Sequence, residues 1–334
     1  MILLTYGTRP EFLKISPIID LLEKSNYPFK ILHTNQHTTL ADFRYDYRID
    51  YKASINNRLD SIIGKIVSSN FIDVIQSEHK IDHILVQGDT ASAFAVALSA
   101  FNNGINVIHL EAGLRTYTTT PWPEEPYRRM ISHITNIHLC PTEANLSNLK
   151  RERIKGSAYV IGNTSIDNLL PYKDKCVYDN KVLITLHRRE NQRVFKFLCA
   201  EIEDLANDYP HLEFIFPMHP SPEIRKHASI FKKVNVIDPL SHKDLLDILV
   251  QCKLVITDSG GIQEECSFLN KKCLVCRTST EREESLSKSS FLVNDLKSSF
   301  DTHILTFDIN YACPYGDGTS SKKFLEILKT LQHG

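Results

Sequence analysis

Residues 83–90 read His83-Ile84-Leu85-Val86-Gln87-Gly88-Asp89-Thr90, an apolar run from Ala91 to Phe101 follows, and residues 106–115 read Asn106-Val107-Ile108-His109-Leu110-Glu111-Ala112-Gly113-Leu114-Arg115. Two short runs of branched residues flank a segment long enough for about three helical turns. Each run ends in a turn that carries a glycine and a carboxylate. The pattern is a βαβ unit, in which the two strands lie parallel in one sheet.

The same alternation continues on both sides. Ile2 to Thr5, Phe29 to Thr34, His138 to Pro141 and Ala158 to Ile161 are further predicted strands. A Pro- and Lys-containing segment, Pro171 to Asn180, interrupts the pattern, and a second series opens at Lys181. Its predicted strands are Val182 to Thr185, Glu213 to Phe216, Val234 to Ile237, Leu254 to Thr257 and Cys273 to Val275. The expected fold class is therefore α/β with two Rossmann-like lobes, residues 1–170 and 171–319. An amphipathic helix from Ser320 to about Leu331, within residues 320–334, is expected to pack back on the first lobe. With 334 residues the chain is about twice the usual length of one domain, so each lobe can bury its own core. Open parallel sheets bind ligands beyond the carboxyl ends of their strands, which places the expected site in an interdomain cleft.

Composition narrows the function. The 39 basic and 40 acidic residues leave a net charge of -1, which disfavours a polybasic nucleic-acid binder. The 42% hydrophobic share disfavours a disordered chain. Arg9 and Glu11 interrupt the apolar start before a signal peptide forms, and Ala91 to Phe101 is about half the length of a membrane span. We expect a cytoplasmic protein with neither membrane nor nucleic acid as partner. The eight cysteines sit mostly in apolar runs, which suits reduced thiols; Cys273 and Cys276 are expected to pack in a strand and not to hold zinc.

Chemistry-bearing residues cluster just after the strands. Gly7-Thr8-Arg9-Pro10-Glu11 forms a tight turn that presents Arg9 to an anion, with Lys14 one helical turn on, but it lacks the glycine pattern of a dinucleotide site. Asp89 is a strand-end carboxylate or an N-cap of the next helix, whereas Glu111 has no capping run after it. Pro121-Trp122-Pro123-Glu124-Glu125 is a stiff loop opening an acidic first turn. Thr257-Asp258-Ser259-Gly260-Gly261-Ile262-Gln263-Glu264-Glu265 is a strand end with a glycine-paired helix start. It fits a diphosphate, with Glu265 toward ribose hydroxyls, or else a plain cap by Asp258 or Ser259. His187-Arg188-Arg189-Glu190 and Met218-His219-Pro220 add phosphate contacts or proton shuttles, while His37 and His109 read as surface or satisfied core residues.

Together GTRPE, GDT, EAGLR, PWPEE, HRRE, DSGGIQEE and Pro314-Tyr315-Gly316-Asp317-Gly318 resemble, in order and spacing over nearly the whole chain, the non-hydrolysing UDP-N-acetylglucosamine 2-epimerase family. The resemblance implies a GT-B-type fold, a UDP-N-acetylhexosamine substrate, a role in nucleotide-sugar and polysaccharide biosynthesis, and a homodimer. It assigns Asp89, Glu111, Glu124 and His187 to acid, base and sugar-positioning work, without deciding which carboxylate is base and which acid. It assigns Arg9, Lys14, Arg128, His219, Ser259, Gly260, Gly261 and Glu265 to the substrate and its UDP. Arg, His and a helix dipole offset the diphosphate charge, so no metal or cofactor is expected.

The chain departs from the family at Thr38-Thr39, after Gln36-His37, where the family has Arg-Glu beside an allosteric UDP-GlcNAc site. It departs also at Tyr127, in place of Asn, and at Glu283, in place of Pro. These departures open the substrate to related sugars such as a 6-deoxy-L-hexose. A GT-B glycosyltransferase, a hydrolysing 2-epimerase and a UDP-sugar sensor without turnover are the alternatives.

Overall fold

The computed structural model describes residues 1–36, 43–50, 58–119, 121–188, 191, 193–305 and 312–331. The chain divides into two units, Met1–Asn168 with Gly316–Gly334, and Leu169–Tyr315.

The strands of the first unit are β1 Ile2–Tyr6, β2 Phe29–His33, β3 Tyr47–Arg48, β4 His83–Gln87, β5 Asn106–Leu110, β6 Ile137–Cys140 and β7 Ser157–Val160. They pair in the order β3-β2-β1-β4-β5-β6-β7, all parallel. Its helices are α1 Arg9–Lys24, α2 Arg58–Val67, α3 Phe71–Gln76, α4 Ala91–Asn102, α5 Glu124–Ile134 and α6 Glu143–Arg151. Side chains alternate between the two sheet faces, and helices cover both. Leu3, Ile84, Val86 and Val107 meet α2 to α5 through Ile62, Phe71, Val96 and Ile131. Ile2, Leu4, Ile31, Leu85 and Ile108 meet α1 through Ile15, Ile18 and Leu22, and meet the last helix, Ser320–Thr330, through Phe324, Leu325 and Leu328. Asp167 fixes the start of that helix by accepting from the backbone N–H groups of Ser320 (3.0 Å) and Ser321 (2.7 Å).

In the second unit the strands are β8 Lys181–Thr185, β9 Glu213–Pro217, β10 Asn235–Ile237, β11 Leu254–Thr257, β12 Cys273–Val275 and β13 Ser290–Leu292. Their order is β10-β9-β8-β11-β12-β13, again parallel. Helices α7 Phe195–Asp208, α8 Pro222–Arg225, α9 His242–Leu249, α10 Gly260–Phe268 and α11 Leu296–Ile304 accompany it, and Ser320–Thr330 is α12. Phe214, Phe216, Ile202 and Phe300 anchor the core. The segment Thr164–Lys175 before β8 is a 3₁₀ run containing Pro171.

Both sheets reverse strand order at one place, between β1 and β4 and between β8 and β11. These are the switch points at which adjacent connections leave to opposite faces and open a crevice. GTRPE follows β1 and GDT follows β4; HRRE follows β8 and DSGGIQEE follows β11. No described helix is long and apolar enough to cross a membrane. The cysteines are free thiols, with Cys140, Cys199, Cys252, Cys266, Cys273 and Cys276 buried.

Candidate functional site

In the first unit the site begins with the turn that starts α1. Thr8 caps the helix and Glu11 closes a capping box. The buried Glu11 carboxylate accepts from Gly7 N (2.8 Å) and Thr8 N (2.7 Å) and from the Thr90 hydroxyl (2.6 Å), which ties GTRPE to GDT. Burial pushes the Glu11 pKa up against those donors. Arg9 is exposed and pairs with no described residue.

Asp89 is not a helix cap. Thr90 caps α4, and Asp89 instead accepts from Arg128 Nε at 2.6 Å. The Arg128 side chain is buried and also donates to Glu125 (3.0 Å). Glu111 sits in the left-handed region at φ 67°, and its Oε2 accepts from Lys14 and from Gln87. Lys14 is thus no solvated helix residue. Gly88 takes φ 71°, which L side chains rarely adopt, and a Cβ there would stand 3.9 Å from Glu111 Oε2. Glu124 opens α5 beside Glu125, and its buried Oε2 has no partner among the described residues. Tyr127 packs in the core and stacks on Phe94 at 5.3 Å, so this departure from the family is a packing change.

His109 is a fully buried core residue, bonded at Nε2 while its Nδ1 has no partner among the described residues. Its Nε2–H donates to the Gly88 carbonyl (2.8 Å) and steadies the turn before Asp89. Burial drives its pKa down to about 3, outweighing that hydrogen bond. A histidine with a depressed folded pKa lends stability above its unfolded value of about 6.5, and that stability is lost as pH falls toward 3. Urea unfolding at pH 7 and pH 5 is expected to show about 2 kcal/mol of loss from this group. In His109→Gln, that part of the pH dependence disappears.

In the second unit Asp258 is fully buried and caps no helix. Its carboxylate accepts from His187 N (3.1 Å), Arg188 N (2.9 Å) and Asn191 Nδ2 (3.0 Å), and so folds the loop after β8. The His187 ring lies 3.5 Å from Asp258 and stacks on His219 with centroids 6.3 Å apart. Loss of hydration lowers the His187 pKa, with Asp258 opposing. Ser259 occupies the N-cap of α10 without a side-chain cap bond. A pocket of 240 Å³ opens there, lined by His187, His219, Leu240, Leu245, Ser259 and Ile262 among others. Glu265 bonds His242 (2.8 Å), and its buried Oε2 has no partner among the described residues.

Two contributors lie outside the sequence motifs. Gln87 was visible as a polar residue ending an apolar strand. Arg282 had no local signal: its guanidinium lies 3.1 Å from where a Gly260 Cβ would stand, held by Glu264 (2.8 Å) and Glu281 (2.8 Å). Burial opposes ionisation of Glu281, yet Arg282 and Arg277 bring its pKa down to about 2. Glu283, the other departure, is exposed. His37, Thr38, Thr39, Arg189 and Glu190 lie outside the described residues.

A family model described as UDP-N-acetylglucosamine 2-epimerase matches residues 20–329. The UDP-N-acetylglucosamine 2-epimerase of Neisseria meningitidis is 35% identical over 369 aligned residues, covering 98% of this chain and 98% of that protein. A crystal structure of UDP-GlcNAc 2-epimerase from Neisseria meningitidis bound to UDP-GlcNAc is similar with a TM-score of 0.86 at 33% identity, over 98% of this chain and 99% of that one. The Methanocaldococcus jannaschii UDP-GlcNAc 2-epimerase in complex with UDP-GlcNAc and UDP has a TM-score of 0.80 at 31% identity, over 98% of this chain and 99% of that one.

Proposed function

The chain belongs to the non-hydrolysing UDP-N-acetylglucosamine 2-epimerase family and is an isomerase, and we propose that it inverts C2 of a UDP-2-acetamido-2-deoxy sugar by eliminating UDP and adding it back. The C2 hydrogen has no neighbouring carbonyl, so a carboxylate alone removes it too slowly. Departure of UDP solves this. As the C1–O bond stretches, the ring gains oxocarbenium character and the C2 proton becomes acidic. A carboxylate takes the proton, the C–H electron pair becomes the C1=C2 double bond of a 2-acetamidoglycal, and UDP leaves with the C–O pair. A second acid then delivers a proton to the opposite face of C2 while a UDP oxygen re-forms the bond to C1.

Inversion requires a proton carrier on each face, and the first unit offers Asp89 and Glu111 after strands β4 and β5 and Glu124 at the start of α5 for this work. The observation that supports the reading best is the seating of Glu111 just after β5, its carboxylate held by Lys14 and Gln87 beside the Gly88 turn. In the second unit the apolar wall of Leu240, Leu245 and Ile262 suits a pyrimidine. The α10 start at Ser259, Gly260 and Gly261, with His219 and Arg282, suits a diphosphate, and the free oxygen of Glu265 suits a ribose hydroxyl. His187, beside Asp258 and lining the same pocket as Ser259, suits a leaving diphosphate oxygen that gathers charge.

Because Tyr127 is a core residue, UDP-GlcNAc and UDP-ManNAc are the first substrates to try, with the 6-deoxy-L analogue next. Incubation in D2O with NMR readout is expected to give a C2 epimer of the UDP-sugar carrying deuterium at C2. Free ManNAc with UDP would instead mean hydrolysis, and acceptor-dependent UDP release would mean a transferase. A cytoplasmic homodimer completes the reading, and sedimentation equilibrium tests the assembly.

A further inference from the structure

We propose that Arg115 is a positioning residue for proton transfer at C2, an inference that rests on the reading of Glu111 as a proton carrier. Arg115 closes the turn that Glu111 opens, and its side chain is fully buried. Its Nε and Nη2 grip the carboxylate of Glu152, just beyond α6, at 2.9 and 2.8 Å. Nη1 donates to the Leu114 carbonyl at 2.8 Å, inside the same turn. Nη2 also donates to Ser132 Oγ on α5 at 3.0 Å, and that hydroxyl donates to the Arg128 carbonyl at 2.8 Å.

Arg128 is the residue whose guanidinium holds Asp89. A second tie runs beside the first, from Thr116 N to Glu125 at 3.1 Å. One buried fork therefore joins the turn carrying Glu111, the helix carrying Glu124 and Arg128, and α6. It sets the distances among carboxylates that must address opposite faces of one carbon. A fork with fixed planar geometry does this; a lysine in its place offers a flexible point charge.

The test is Arg115→Lys in the full chain, with UDP-GlcNAc as substrate and NMR detection of epimer, free UDP and 2-acetamidoglycal. Misplaced carriers spoil reprotonation, so we expect kcat to fall by about 100-fold with KM within about twofold, and a larger share of turnovers to end as released glycal and UDP. A purely structural role lowers the amount of folded enzyme and leaves that share at the wild-type value. Arg115→Met/Glu152→Met removes both charges and leaves neither unpaired, so it keeps the fold testable, and it is expected to leak in the same way. An unchanged share in a folded variant overturns the proposal, as does loss of folding in both. Wild-type enzyme that produces no C2 exchange instead overturns the functional reading itself.

Discussion

Glu111→Gln is expected to lower kcat for C2 epimerisation by about 10³-fold while KM changes little. Glutamine keeps the size of the side chain and one oxygen able to accept from Lys14 and Gln87, so the turn has no reason to refold. What it loses is the capacity to carry a proton. The expected loss lies within the range for removing a general acid or base, and it applies to deuterium wash-in at C2 as much as to product formation. Glu111 is singled out over its neighbours by its conformation: at φ 67° the backbone pays on the order of 1 kcal/mol that a glycine would not. Strain of this kind is kept where a side chain must point in one direction. If deuterium exchange in the variant stays within tenfold of wild type, Glu111 is not the carrier, and Glu124, whose buried Oε2 has no partner among the described residues, takes its place.

Much of the fold was legible because both sheets are parallel and covered on both faces. Strands His83–Gln87, Asn106–Leu110, Leu254–Thr257 and Cys273–Val275 coincide with the predicted runs, being nearly continuous apolar segments between turn residues. Tyr47–Arg48 and Ser290–Leu292 were invisible. Both are edge strands, two and three residues long and only partly buried, so no apolar run marks them. The site shows the same division. Residues after central strands could be placed because the sheet fixes where strands end. For Asp89 and Asp258 a cap stood open beside a functional role because the partners that claim them, Arg128 and the loop at His187, arrive from distant sequence. Arg115 stands in EAGLR, and nothing local shows that its partners are Glu152 and Ser132 on other elements. Local sequence reveals that a charge stands at a strand end, but long-range pairing decides what the charge does.

Gly113→Ala is expected to destabilise the first unit by about 3 kcal/mol or more, read as a lower urea midpoint with little change in slope. Two independent costs fall on the same atom. Gly113 has φ 85°, a conformation that a Cβ disfavours by about 1 kcal/mol. The added methyl would also stand 2.3 Å from the carbonyl oxygen of Asn145 and 2.8 Å from its carbonyl carbon. A flexible side chain could yield, but this is backbone within the first turn of α6, where Thr142 and Asn145 form a capping box. The turn must therefore lift or the helix must shift, and either movement loosens the hydrogen bond from Asn148 Nδ2 to the Gly113 carbonyl (3.0 Å). Because Glu111 precedes this contact by two residues, folded Gly113→Ala should also lose activity, whereas Gly64→Ala, which meets nothing within 4 Å, should lose neither stability nor activity. A Gly113→Ala protein as stable as wild type would show that α6 does not press on this turn, and with it the brace through Glu152 would lose its footing.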